Sequence, residues 1–308
     1  MTYTTLYIGG AGRSGSTLLE ILLGNQQNLV CVGEVREYFH YLSDNNMPCG
    51  CGEYIHKCDF WQKVNESLEQ QGVDLNKIAD ISKRLTQSRI FWKLPLLRKF
   101  SSDWSTLVES TRALYDTVAS ISGAKYIIDS SKSATHLAVL KEFKSKDELK
   151  VIHQIRDPRG VAYSWSQNIK QIKTKNGPVE FPRRAFFMSG IRWLLENLVM
   201  EYMSRDLDYT RVSYEAMTEN PRQTIVGALN TIGLPAEEFE ISTEEQRVIT
   251  LQPHISHPIG GNPMRKSADG AKIICDTKWK SELSTANKLG LGLITYPGLK
   301  RYGYKLRW

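Results

Sequence analysis

The sequence predicts an α/β fold, a mainly parallel sheet of five strands flanked by helices, and three observations carry that expectation. Short apolar runs alternate with amphipathic stretches along the chain, which is how a parallel sheet with helical crossovers reads. The segment LYIGGAGRSGSTLLEILL, Leu6 to Leu23, passes from a strand pattern through a Gly-rich turn into a helix pattern. Between Asp59 and Ser122 the alternation gives way to helical, charge-mixed sequence, which marks an insertion beside the sheet. At 308 residues with 41% hydrophobic side chains, the chain can bury one large core, so residues 1–308 are expected to form a single elaborated domain.

The elements follow in order. TLYIGG is the first strand, and GSTLLEILLGN is a helix that Gly24-Asn25 is suited to end. LVCVGE, AKYIIDSSK, LKVIHQIRDP and LDYTRVSYE supply the other four strands. The helical insertion covers 59–122, with VNESLEQQGVDLNKIADISKRL and WSTLVESTRALYDTVASI as its clearest helices. Residues 168–184, NIKQIKTKNGPVEFPRR, have the composition of a mobile loop before the helix around MSGIRWLLENLVMEYM. From His254 onward the chain carries HISHPIGGNPMRKS and TKWKSEL, with too many Gly and Pro for a helix.

The formal net charge of +7, from 40 Lys+Arg against 33 Asp+Glu, favours acidic ligands. No Lys/Arg run resembles a nucleic-acid arm. No basic leader precedes a long apolar run, and no window offers roughly 18 uninterrupted apolar residues, so the expectation is a cytoplasmic protein with no membrane and no nucleic-acid partner. Of five cysteines, Cys49, Cys51 and Cys58 crowd into MPCGCGEYIHKCDFW, with His56 among them. The spacing C-x-C-x6-C lacks the paired C-x2-C knuckles of common zinc sites, so a tight reduced turn is the first reading, with a local disulfide and a zinc site as alternatives.

From Gly10 to Thr17 the spacing is that of the phosphate loop G-x-x-x-x-G-K-[ST], the mark of a P-loop nucleoside-triphosphatase-like fold, except that Ser16 stands in the lysine position. Because the loop follows a strand and opens a helix, the N–H groups of Gly12, Arg13, Ser14, Gly15, Ser16 and Thr17 can converge on a phosphate, and the helix dipole favours its charge. Arg13 adds a permanent cation. A second constellation, VIHQIRDPRGVAYSW, puts Arg156 at a strand end and Ser164 eight positions on, an arrangement suited to a separate, isolated phosphate. A nucleoside triphosphate carries its phosphates in one line, whereas a 3′-phosphorylated nucleotide carries one at each side of the ribose.

On GRSGST and RDPRGVAYS, in this order and each at a strand end, the sequence resembles the sulfotransferases that use 3′-phosphoadenosine 5′-phosphosulfate (PAPS) and release 3′-phosphoadenosine 5′-phosphate (PAP). The resemblance implies that the lysine-free loop cradles the 5′-phosphosulfate and that Arg156 and Ser164 hold the 3′-phosphate. It also implies that 254–280 is a cofactor-closing loop from which Arg265 and Lys266 reach the 3′-phosphate. The run RSGSTLLEILLGNQQNLVCVGEVRE is similar to the tyrosylprotein sulfotransferases, where a carboxylate after the first helix is the base; that position is Glu34, with Arg36 beside it. The same comparison puts the catalytic lysine at Lys132, and the CGCG…C…FW block resembles bacterial and cyanobacterial-type members. The histidine base of the vertebrate cytosolic branch has no equally spaced counterpart, although His136 follows Lys132 closely and is the alternative base.

The expected chemistry is in-line transfer of a small, charge-dispersed group, dominated by positioning and electrostatics. Arg13, Lys132 and the loop N–H groups neutralise the leaving oxygen, Lys132 donates a proton, and Glu34 takes one from an acceptor hydroxyl or amine. Cationic side chains replace magnesium, so no metal is required. A small metabolite or natural product is the first choice of acceptor, a glycan the second and a protein tyrosine the third. Arg36 and Tyr38 are placed on the substrate side, with Phe39, Trp61, Trp92, Trp104, Phe186 and Trp193 as candidate aromatic walls. Two rival functions stand beside this one: a nucleotide or metabolite kinase, with Asp129 as the magnesium-holding acid, and a non-catalytic module for polyanions.

Overall fold

The computed structural model describes residues 2–24, 28–44, 47–167, 171–174, 177–180, 184–239, 248–249, 256–261 and 271–308. Its centre is a five-stranded sheet. The strands are β1 (Thr4–Gly9), β2 (Leu29–Gly33), β3 (Tyr126–Lys132), β4 (Leu149–Ile155) and, after a short antiparallel hairpin of β5 (Gln171–Thr174) and β6 (Gly177–Glu180), β7 (Asp208–Ser213). The order is β2-β3-β1-β4-β7 and every pairing in the sheet is parallel. The five strands thus fall where the apolar runs put them, and the hairpin lies within the stretch read as a loop.

Alternate residues feed two cores, as the twofold period of a strand requires. Tyr7, Val30, Val32, Ile127 and Val151 face one side, where they pack with Trp61, Leu107, Leu114 and Trp104 from the 59–122 segment. Leu6, Ile8, Cys31, Ile128 and Ile152 face the other, against Leu18, Leu19 and Leu22 of the first helix. Segment 59–122 folds as helices Asp59–Gln70, Leu75–Leu85, Leu94–Phe100 and Ser102–Ser122. Among the described residues no helix is long and apolar enough to cross a membrane.

The tail departs from its Gly/Pro reading. Helices form over Trp279–Glu282, Thr285–Ile294 and Tyr296–Tyr302. Ser284 caps the second of these by accepting from Asn287 N, and Pro297 sits at the start of the third, where a missing N–H costs nothing. Gly292 and Gly298 are tolerated because they meet side chains closely, Leu306 for the first and Trp193 for the second.

The chain leaves β1 to one side for β2 and β3 and then crosses to the other side for β4 and β7. A crevice opens at the carboxyl ends of the strands where such an order reverses, and the candidate site lies there.

Candidate active site

The loop between β1 and helix Ser16–Leu23 forms the floor of a cavity of about 540 Å³. Gly15 is the N-cap residue at φ 96° and makes no side-chain cap, and the first turn carries no acidic residue, so the positive end of the helix is left for an anion. Gly12, Arg13, Gly15, Ser16 and Thr17 line the cavity. Ser14 Oγ is buried beside them with no hydrogen-bond partner among the described residues, a donor that a phosphate oxygen can use. Bulk is excluded from the loop: a Cβ at Gly15 would lie 2.6 Å from Tyr214 and one at Gly12 3.2 Å from Trp165. Arg13 itself is held at φ 71°, a conformation that costs a non-glycine residue about 1–3 kcal/mol, and its guanidinium lies 4.7 Å from the Trp165 ring centroid. Burial lowers the Arg13 pKa from its ordinary value and the Glu34 carboxylate opposes that shift.

Glu34 and Lys132 meet across the mouth of this loop, with Lys132 Nζ donating to Glu34 Oε1 at 2.7 Å. The Lys132 side chain is 15% exposed and that of Glu34 18%, so the pair is shielded yet reachable from the cavity both line. The backbone explains the meeting. The register slips by one residue at both pairings of β3: β3 carries the extra residue against β1, where Tyr7 pairs Asp129 but Gly9 pairs Lys132, and β2 carries it against β3, where Cys31 pairs Ile128 and Gly33 pairs Asp129. Such irregularities re-aim side chains, and here the strand ends with Lys132 at φ 64°. Glu34 follows Gly33, which turns at φ 72°.

Glu20 ties the two strand ends together. Its carboxylate is fully buried, accepting from Gly33 N at 2.9 Å and from Ser130 Oγ at 2.6 Å. It therefore holds the residue before Glu34 and a residue two before Lys132. Its sequence signal is a single acid in the apolar helix STLLEILL. Arg36 lines the same cavity, donates its N–H to Ser131 Oγ at 3.1 Å and pairs with Glu37 at 2.8 Å. Burial works to lower the Arg36 pKa, but the carboxylates of Glu37 and Glu34 outweigh it and raise the value.

Arg156 and Ser164 also line the cavity. Arg156 stacks over Tyr214 at 4.4 Å and donates to the Asp276 carbonyl at 2.7 Å and to its carboxylate at 3.1 Å. The carboxylate thus occupies one prong of the guanidinium fork. Gly160 packs closely behind it: a Cβ there would lie 3.0 Å from Arg156 Nε and 3.1 Å from the Trp279 ring. Trp165, Arg184 and Arg192 are cavity residues that the sequence did not single out, and the Arg184 guanidinium lies 3.8 Å from the Trp165 ring. Burial and the neighbouring Arg192 charge both lower the Arg184 pKa, the environment of a site short of negative charge.

One expected site residue and two residues of the alternative readings lie away from the cavity. Tyr38 is fully buried and donates to Asn65 while packing on Trp61 and Phe39, so it belongs to the core rather than the substrate side. His136 is buried away from the cavity, with Nε2 3.1 Å from Tyr115 Oη and 3.4 Å from Asp129. Asp129 in turn is fully buried and accepts from Tyr115 Oη at 2.5 Å and Ser131 N at 2.7 Å, which leaves it in the wall behind the cavity. Of the candidate aromatic walls, Trp92 lines the cavity, and Phe91 joins it; Phe39, Trp61, Trp104 and Trp193 are core, and Phe186 is partly buried against Phe187. Arg265 and Lys266 lie outside the described residues, as do 168–170, 175–176 and 181–183 of the expected mobile loop and 254–255 and 262–270 of the expected closing loop.

A Gly-rich loop without lysine after β1, Arg156 at the end of β4 on one side of it and the Glu34–Lys132 pair on the β2–β3 side all line one cavity. The chain belongs to the sulfotransferase family, whose model matches residues 6–238. Among solved structures, a sulfotransferase domain from the Curacin biosynthetic pathway superimposes with a TM-score of 0.51 at 14% identity, covering 99% of each chain. The sulfotransferase domain of the Synechococcus PCC 7002 olefin synthase aligns at 17% identity over 99% of this chain and 96% of that one, with a TM-score of 0.48. No curated protein matches the chain.

Proposed function

We propose that the protein transfers the sulfuryl group of PAPS to a hydroxyl or amine of a small natural-product acceptor. The observation that carries this reading is the 2.7 Å contact of Lys132 with Glu34 at the rim of the phosphate loop, because it puts a proton acceptor and a cation at one point of the cavity. PAPS brings the activated sulfuryl group as co-substrate. The loop N–H groups, Ser14 and Arg13 bind its 5′ end, and Arg156 with Ser164 binds the 3′-phosphate, displacing the Asp276 carboxylate from the guanidinium. Negative charge arriving on the donor side competes for the Lys132 ammonium, which frees Glu34 to accept the acceptor's proton while Lys132 stabilises the leaving oxygen. Arg36 and the Phe91–Trp92 edge contributed by 59–122 form the acceptor side, a mixture of charge and aromatic surface that suits a small amphipathic molecule better than a polymer.

The kinase alternative is disfavoured by Ser16 in the lysine position and by Asp129, whose two oxygens are engaged by Tyr115 and Ser131. The test is incubation with PAPS and a library of hydroxylated and amino metabolites, with mass spectrometry of the products. A sulfated product with release of PAP supports the reading; phosphorylated products with magnesium-ATP and none with PAPS overturn it.

A further inference from the structure

The three crowded cysteines are joined by a residue that is distant in sequence. His257 Nδ1 lies 3.3 Å from Cys58 Sγ and 3.7 Å from Cys49 Sγ, and Cys51 Sγ lies 3.6 Å from Cys58 Sγ. All four ligand atoms fall within 4.8 Å of one another, and none of the cysteines is in a disulfide. A zinc ion bound at about 2.3 Å from sulfur and about 2.0 Å from nitrogen sets tetrahedral edges of about 3.8 Å between sulfurs and about 3.6 Å from sulfur to nitrogen. The three contacts of 3.3, 3.6 and 3.7 Å lie near those edges, and the remaining separations stay within 4.8 Å. A disulfide would use two sulfurs and leave the third thiol and the imidazole packed together without purpose.

The surroundings hold the four groups in place. Cys49 N donates to Glu53 O at 2.7 Å, and Gly52, at φ +99°, donates back to Cys49 O at 3.1 Å, which brings Cys49 and Cys51 onto one tight turn. Cys58 is the N-cap residue of helix Asp59–Gln70, which fixes its place at the start of that helix. The His257 ring is stacked on Phe60 at 4.5 Å with 4° between planes, and its carbonyl accepts from Trp61 Nε1 at 3.0 Å. His56, the neighbour in sequence, stacks instead on Tyr54 and is no part of the cluster.

We propose that Cys49, Cys51, Cys58 and His257 bind one zinc ion as a structural Cys3His site. Three thiolates and an imidazole select zinc over the hard, oxygen-seeking cations, and four protein ligands leave no open position for chemistry. The ion clips the returning tail to the sheet beside the reacting groups: two residues after His257, Ile259 N donates to Val32 O at 3.1 Å and Ile259 O accepts from Glu34 N at 2.8 Å. The site is independent of which group the enzyme transfers.

The experiment is elemental analysis by plasma mass spectrometry of the full chain, purified under reducing conditions without a polyhistidine tag. One zinc per chain is expected. A chain that is metal-free after growth with zinc, or intact-mass evidence of a disulfide among Cys49, Cys51 and Cys58, overturns the proposal. Cys58→Ser and His257→Ala should each lose the ion, whereas His56→Ala should retain it; loss in His56→Ala and retention in His257→Ala contradicts the ligand set. Should the ligand variants fail to fold, cobalt exchanged into the wild-type chain decides. Intense tetrahedral thiolate–cobalt absorption supports the site, and the weak spectrum of octahedral cobalt overturns it.

Discussion

Two polar clusters flank the same strand end, three residues apart on β3, and they are built to opposite ends. Lys132 with Glu34 stands at the cavity, partly exposed, and a β3 bulge and a left-handed backbone aim it there. Asp129 with Tyr115 and His136 is sealed behind the sheet. Residue type does not separate the proposed base from a structural group: both clusters contain a carboxylate and a basic side chain. Access and backbone separate them, since Lys132 reaches the cavity from a costly left-handed conformation, whereas the buried trio satisfies its own hydrogen bonds.

Variants should break along that line. Glu34→Gln keeps shape and hydrogen bonding but cannot take a proton, so turnover should fall roughly 10²- to 10⁴-fold with donor affinity nearly unchanged; steady-state rates beside calorimetric titration of PAP read both quantities. Lys132→Met should cut turnover by about 10²-fold or more and also weaken PAP, because the ammonium serves the donor side. Asp276→Asn removes the carboxylate that competes for Arg156 and should tighten PAP by roughly 2- to 10-fold, the worth of a partly exposed ion pair. The smallest effect on rate belongs to His136→Ala: turnover of the folded enzyme should stay within a few-fold, while loss of a buried partner of Asp129 and Tyr115 should cost about 1–3 kcal/mol of stability in urea melts. A dead but fully stable His136→Ala would move the base to the buried cluster and collapse the distinction.

Much of the scaffold was legible because a parallel sheet covered on both faces reads as short, nearly continuous apolar runs, as LVCVG of β2 does, whereas the edge strand β7, DYTRVS, is half-buried and carried the weakest signal. Gly10, Gly15, Ser16 and Thr17 were legible because spacing alone defines a loop at a strand-to-helix junction. What escaped depends on tertiary pairing. Tyr38 follows the Glu34 segment closely, yet its ring turns into the core against Trp61. Glu20 showed only as one acid on an apolar helix, with nothing to say that it would meet Gly33 and Ser130. His257 is 199 residues from Cys58, so the cysteine cluster offered His56 as its obvious fourth member. The tail helices were hidden by Gly and Pro, whose effect depends on whether they fall inside a helix or at its first turn.

The central claim is that two separate anion sites on one sheet select a 3′-phosphorylated nucleotide, and calorimetric titration of PAP and ADP into the wild-type chain and Arg156→Ala tests it without any acceptor. PAP should bind the wild-type chain at least 10-fold more tightly than ADP, and Arg156→Ala should weaken PAP by roughly 1.5 to 3 kcal/mol, about 10- to 150-fold, while leaving ADP little changed. Equal binding of PAP and ADP by the wild-type chain, or an Arg156→Ala chain that still prefers PAP as strongly, would contradict the account.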